Sequence, residues 1–390
     1  MLVKLKNYLG MATNNKILLI TVCLVSTLVF AQENLEYNSF SPGSIWNDTD
    51  GSHINAHGGG FYYEDGTYYW YGEHKDSHSL ANVGVRVYKS KDLYNWENCG
   101  VALAVSNDPN SEITKGSVIE RPKVVYNRNT DKYILWFHLE LKDQGYAAAR
   151  TGVAIGDSPL GPFTYIKSFR PNAGVWPQNF SEEQKNFNSE ESKYEWWTQE
   201  WSEALEDGLY TRRDFEGGQM SRDMTVFVDD DGKAYHIRSS EENQTLHIAL
   251  LTDDYLDFTD TWVRVQPGGQ NEAPAVFKSG DYYYMITSGL TGWDPNAARS
   301  FRSKSMLGPW ESLGNPAKGK GANLTFNSQS TYVLSVQGLK DAHIFMADRW
   351  NPKNHQDGRY VWLPIKISDG KPVINWINQW NIKDEFLNNF

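Results

Sequence analysis

The chain has 390 residues, 40% of them hydrophobic and 14% aromatic, enough for a substantial core in a single unit. Its formal net charge of -11 argues against nucleic acid and anionic membranes as partners, since both demand clustered Lys and Arg. A neutral substrate suits it better, and the 15 Trp and 22 Tyr suit both an all-β core and the flat apolar faces of sugars.

In chain order, Lys4, Lys6 and Lys16 come first and an apolar run from Ile17 to Phe30 follows, ending at Val29-Phe30-Ala31. The pattern reads as a secretory signal over residues 1–31, too short for a membrane span, and predicts a periplasmic or extracellular protein. Val22 ahead of Cys23 is too bulky for a lipoprotein box. Cleavage leaves Cys99 alone, so residues 32–390 must be held by their core without an internal disulfide.

A degenerate unit then recurs. It opens with a polar segment, continues as a hydrophobic strand, turns at Asp or Gly, and returns as an aromatic strand. The openings are Ala56-His57-Gly58-Gly59-Gly60, Glu120-Arg121-Pro122, Ser221-Arg222-Asp223, Glu272-Ala273-Pro274 and Ser328-Gln329-Ser330-Thr331. Turns such as Glu64-Asp65-Gly66 and Asp230-Asp231-Gly232, flanked by aromatic and β-branched residues, are hairpin signals. Units spaced by roughly fifty residues predict an all-β fold, a five-bladed β-propeller. Residues from about 170 to 218 break the spacing. They carry Trp176, Trp196, Trp197 and Trp201, and read as an insertion, partly helical from Glu190 to Leu205. It is either a brace or a wall of aromatic subsites.

In a propeller the inner strand of each blade lines the central channel. Glu120, Asp223, Glu272 and Gln329 are therefore expected at one mouth. Hydrolysis of a glycosidic bond needs an acid for the leaving oxygen and, with inversion, a base for water on the opposite face. Glu272 opens a strongly apolar strand, where a carboxylate is costly unless paired or useful. Glu120 has the same placement in another blade, with a simple ion pair to Arg121 as the plainer reading.

The runs Ile54-Asn55-Ala56-His57-Gly58-Gly59-Gly60, Tyr69-Trp70-Tyr71-Gly72-Glu73, Glu120-Arg121-Pro122-Lys123, Ser221-Arg222-Asp223-Met224 and Glu272-Ala273-Pro274 together resemble glycoside hydrolase family 43. The likeness spans roughly Pro42 to Trp380 and is strongest to the exo-β-1,3-galactanase branch. It implies an inverting mechanism with Glu272 as general acid and Glu120 as the partner that tunes it. Glu73 and Asp223 are implied as ligands of the terminal sugar, with Tyr146, Thr291, Trp293 and His57 as further substrate contacts. The first blade lacks the catalytic-base Asp of the wider family, reading Asn55-Ala56-His57-Gly58 instead. The branch shares that gap, and Gln329 stands where its water-holding Gln is expected, with an imidic-acid tautomer invoked as base. His57 is the other candidate base, because imidazole titrates near neutrality.

No metal or cofactor is indicated. His and Cys have no zinc spacing, and Asp229-Asp230-Asp231-Gly232 lacks the remaining ligands of a calcium loop, so a hairpin turn is expected there. The expected substrate is a poly- or oligosaccharide and the expected state a monomer. An exo-β-1,3-galactanase is the first reading. An α-L-arabinofuranosidase is the second. A non-catalytic carbohydrate-binding propeller is the third, favoured by the missing Asp.

Overall fold

The computed structural model describes residues 36–187 and 190–387; the expected signal at residues 1–31 lies outside the described residues. Asp-Gly turns set the hairpins. Asp65 (φ 47°) and Gly66 (φ 77°) are both left-handed, the pairing that closes a two-residue turn between Glu64 and Thr67. Four four-stranded antiparallel sheets and one five-stranded sheet result, together containing 21 strands. Their inner strands are His57–Glu64, Val118–Asn127, Met224–Val228, Glu272–Ser279 and Gln329–Ser335. These are the five blades of a β-propeller. In the last blade a short strand, Ala317–Lys318, adds in parallel to the outermost strand, Lys371–Asn375.

Each blade turns one face to the blade before and the other to the blade after, so both faces are apolar. Tyr71, Val87, Ile119 and Leu135 fill the gap between the first and second blades. Trp136, Met224 and Val226 fill the next. Ile248, Val276 and Met285 fill the third, and Phe277, Tyr284, Val333 and Phe345 the fourth. Phe61, Trp70, Ile344 and Trp362 join the last blade to the first and close the ring. At about 1.5–3 kcal/mol per fully buried large side chain, these seams are the main source of stability, and among the described residues no disulfide adds to them. The N-terminal segment latches the closure: Phe40 and Trp380 exchange backbone hydrogen bonds of 2.7 and 3.1 Å.

The connection from Phe169 to Met224 carries the insertion. It contains α1 (Glu182–Asn186), α2 (Gln199–Glu206), α3 (Leu209–Arg213) and a 3₁₀ turn, Glu191–Lys193. Trp201, Leu205, Leu209 and Tyr210 form its small core. Arg264 of the third blade fixes it by donating to the Leu205 and Glu206 carbonyls at 2.7 and 2.8 Å. Trp196 and Trp197 remain 39% and 62% exposed. Among the described residues no helix is long and apolar enough to cross a membrane.

Candidate active site

Three inner strands begin with the same irregularity. Pairing with the second strand shifts between His57 and Gly60, between Glu120 and Lys123, and between Glu272 and Ala275. The residue after each opening side chain is left-handed: Gly58 (φ 60°), Arg121 (φ 55°) and Ala273 (φ 52°). Such a bulge bends the strand end and re-aims its side chains, at about 1–3 kcal/mol of strain for a non-glycine residue. A side chain at Gly58 would displace Glu73, since a Cβ there would lie 2.1 Å from Glu73 Oε1.

Arg121 is the hub that the bulge creates. Its guanidinium grips Asp223 with two bonds, Nε to Oδ1 at 3.0 Å and Nη2 to Oδ2 at 2.8 Å. It also donates to Gln329 Oε1 at 2.6 Å and to the Ser330 carbonyl at 3.1 Å. Its backbone N–H donates to Glu73 Oε1 at 2.8 Å. The side chain thus ties together the openings of the second, third and fifth blades, and the backbone N–H adds Glu73 of the first. Arg121 pairs with Asp223 through hydrogen bonds, and the direct partners of Glu120 lie elsewhere.

Glu120 is surrounded by donors. Tyr146 donates to Oε1 at 3.0 Å, Lys75 Nζ lies at 3.6 Å, and His138 Nδ1 is 3.3 Å from Oε2. Burial alone would raise this carboxyl, but Lys75, His138 and Arg121 outweigh it and hold it well below the usual carboxylate range. His138 is flanked in turn by Glu120 and Glu140. Those two carboxylates overcome its burial and bring it up to about 9.

Glu272 lies in the opposite setting. Among the described residues the one side-chain hydrogen bond to it comes from Asn243, Nδ2 to Oε1 at 2.9 Å. Burial, then the negative charge of Asp223, pushes its carboxyl up to about 8, against a smaller pull from Arg121 and Arg222. At neutral pH it carries its proton, as a general acid must.

Gln329 accepts at Oε1 from Arg121 and, at 3.1 Å, from Trp350 Nε1, while its Nε2 donates to Ser288 Oγ at 2.9 Å. Guanidinium and indole can only donate, so the amide orientation is fixed and Oε1 has no proton of its own. An imidic tautomer with hydrogen on Oε1 would turn that proton against two donors. The amide keeps a second Nε2 hydrogen beyond the one given to Ser288. Beside it lies a cleft of about 170 Å³ lined by Ser288, Trp293, Gln329, Asp348 and Trp350.

The other expected residues occupy distinct levels. Tyr146 is 43% exposed at the mouth, and Trp293, 40% exposed, meets Trp350 edge to face at 5.5 Å. Thr291 sits in the same loop, accepting from Asn296 at 2.7 Å and donating to the Asp294 carbonyl at 2.6 Å. Glu73 lies beneath the mouth, its side chain 3% exposed and bound to Lys75 at 2.7 Å. His57 is fully buried, stacked on Tyr360 at 5.8 Å, and burial pushes its imidazole down to about 3. Such a ring has little affinity for a proton at neutral pH.

Sequence reasoning missed the residues that face the inner strands from the second strands. Register pairs Glu120 with His138, Glu272 with Ser288, and Gln329 with Asp348. Lys75, Asn243 and Trp350 were missed as well. The usable signal was the hairpin itself, because an antiparallel ladder sets a second-strand residue opposite every inner one. Glu120, His138 and Asp223 bring ligand-type atoms within 4.8 Å of one another, but Lys75, Glu140 and Arg121 already engage them. Asp229 and Asp230 bind Lys278 at 3.0 and 2.7 Å, as in a paired hairpin turn.

A protonated carboxyl and an ionised one at the shared mouth of a five-bladed propeller supply the acid that hydrolysis of a glycosidic bond needs. The sequence profile of glycosyl hydrolases family 43 matches residues 176–372. A family 43 β-1,3-galactosidase solved with galactodeoxynojirimycin is 51% identical over 88% of this chain and 100% of its own, with a TM-score of 0.86. An exo-β-1,3-galactanase from Phanerochaete chrysosporium, solved with β-1,3-galactotriose, is 30% identical over 88% of this chain and 68% of its own, with a TM-score of 0.71. Another, from Clostridium thermocellum, is 35% identical over 87% of this chain and 66% of its own, with a TM-score of 0.71. No curated protein sequence matches. The chain belongs to glycosyl hydrolase family 43 and is an inverting glycoside hydrolase.

Proposed function

We propose that the enzyme is an exo-β-1,3-galactanase that releases galactose, with inversion, from the non-reducing end of β-1,3-galactan or arabinogalactan. The observation that carries the chemistry is Glu272, a carboxyl kept protonated to about 8 at the mouth it shares with ionised Glu120. The choice of galactose is supported by the β-1,3-galactosidase that is half identical along its whole length.

Glu272 gives its proton to the glycosidic oxygen as that bond breaks. Asp223 and Glu120 keep the proton on Glu272 until then, through their negative charge. Gln329 holds the incoming water on the other face of the sugar. Asp223 and Tyr146 take hydroxyls of the terminal galactose, and Trp293 offers it an aromatic face. Glu73 and His57 act from beneath, holding Lys75, Arg121 and the channel wall in place, and Thr291 fixes the loop of Trp293. In this reading residues 1–31 direct export, the enzyme works as a monomer on a polysaccharide, and no cofactor takes part.

The test is product analysis. β-1,3-galactan should yield free galactose, seen first as the α-anomer by proton NMR. An aryl α-L-arabinofuranoside should be untouched. Arabinose as the only product would transfer the reading to an arabinofuranosidase.

A further inference from the structure

Inversion needs a group to receive a proton from the attacking water, and the residues at the mouth can be examined in turn for that capacity. Gln329 Oε1 already accepts from Arg121 and Trp350. Glu120 is held by Lys75, His138 and Tyr146. Asp223 binds Arg121 with both oxygens and also accepts from the Ala273 N–H at 3.1 Å. Glu73 is closed off by Lys75 and the Arg121 backbone. His57 is wholly buried. Each of these carboxylates has a Lys or Arg directly against it, Gln329 Oε1 has both lone pairs in use, and His57 lies out of reach.

Asp348 differs from all of these. It comes from the second strand of the last blade, His343–Arg349, directly opposite Gln329 in the ladder. Cross-strand partners project from the same face of a sheet. Asp348 lines the cleft with Gln329 and Ser288. Among the described residues its carboxylate takes a single hydrogen bond, from the Gly58 N–H to Oδ2 at 2.6 Å. Gly58 is the second residue of the inner strand of the first blade. A carboxylate from the last blade therefore abuts the opening of the first.

We propose that Asp348 is the catalytic base, taking the proton of a water held by the Gln329 amide. The inference rests on the hydrolase reading above. As the water oxygen bonds to C1, its proton passes to Asp348, while the C1–O bond breaks and the Glu272 proton passes to the leaving oxygen. One water is consumed. Asp348 ends protonated and Glu272 ionised, and solvent restores both. The groups facing Asp348 are Glu73 on the second strand of the first blade, Arg121 and Lys123 on the inner strand of the second, and Tyr360 on the neighbouring strand of its own blade. Burial, aided by Glu73 against the Gly58 N–H, Arg121 and Lys123, brings Asp348 up to about 7, close to the ideal for a base at neutral pH.

The test uses the full exported enzyme on β-1,3-galacto-oligosaccharides. Asp348→Asn keeps the size and one acceptor for Gly58, and should lower kcat by about 10²–10⁴-fold with galactose affinity retained. Asp348→Ala with added azide should form α-galactosyl azide, which loss of a merely structural residue would not produce. The acid limb of wild-type kcat/KM should lie near 7, a readout independent of any variant's folding. A kcat within tenfold of wild type for Asp348→Asn, an acid limb below pH 5, or azide product from Glu120→Ala but not from Asp348→Ala would each overturn the assignment. Wild-type enzyme inactive on every galactan would instead overturn the hydrolase reading from which it starts.

Discussion

Glu120 and Glu272 open the inner strands of the second and fourth blades, both followed by a left-handed residue at a bulge. By local sequence they are near equivalents, yet their carboxyls lie on opposite sides of neutrality. What separates them arrives from other strands. Glu120 faces His138 and has Lys75 and Tyr146 against it. Glu272 faces a serine, has one amide donor, and feels Asp223 and Glu120 as like charges. The strand opening delivers a carboxylate to the mouth, and the second layer decides whether it is acid or anion.

The largest expected effect comes from removing the acid. Glu272→Gln should lower kcat on a galactan with a poor leaving group by about 10²–10⁴-fold, leaving galactose affinity nearly unchanged by calorimetry. The same variant should be more stable than wild type at alkaline pH. The folded state keeps the Glu272 proton up to about 8, while the unfolded chain loses it near the ordinary carboxylate value. Wild-type stability therefore falls as pH rises through that window, and Gln abolishes this contribution. Chemical denaturation at pH 6 and pH 9 checks the sign.

Glu120→Gln should do the reverse to stability. Its depressed carboxyl stabilises the fold above the ordinary carboxylate value, a contribution lost only on acidification. Gln leaves His138 and Lys75 facing a neutral group, at a cost of about 1–3 kcal/mol near neutral pH. A Glu120→Gln protein as stable as wild type would mean that Lys75 and His138 are satisfied by Glu73 and Glu140 alone.

This contrast marks how far the sequence could be read. Repeated openings and Asp-Gly turns were enough for five blades, because hairpin chemistry is local and aromatic strands recur with it. They were also enough to nominate Glu120, Asp223, Glu272 and Gln329, since inner-strand starts must converge. Which cation meets which carboxylate was not legible. Arg121, adjacent to Glu120 in sequence, looked like its partner. A left-handed backbone at Arg121 instead points its guanidinium across the channel to Asp223 and Gln329. Asp348 was hidden for a related reason. It follows Phe345-Met346-Ala347 at the far end of a buried strand, and only the register with Gln329 brings it to the cleft.

The finest expected effect tests how Glu272 is kept protonated. The alkaline limb of wild-type kcat/KM, which reports the free enzyme, should lie near 8. After burial, Asp223 raises Glu272 most among its charged neighbours, ahead of Glu120. Asp223→Asn removes that charge and also frees Arg121, whose positive field favours ionised Glu272. Both changes act in one direction, so the limb should move down by about one pH unit or more. Glu120→Gln removes a weaker influence and should move it less, in the same direction. Tyr146→Phe takes a hydrogen bond from Glu120 without changing a charge, and should leave the limb in place. Each variant is scored by the position of the limb rather than its height, so a loss of sugar binding does not obscure the result. If Glu120→Gln moves the limb further than Asp223→Asn, the tuning runs chiefly between the two glutamates, and Asp223 serves the sugar instead.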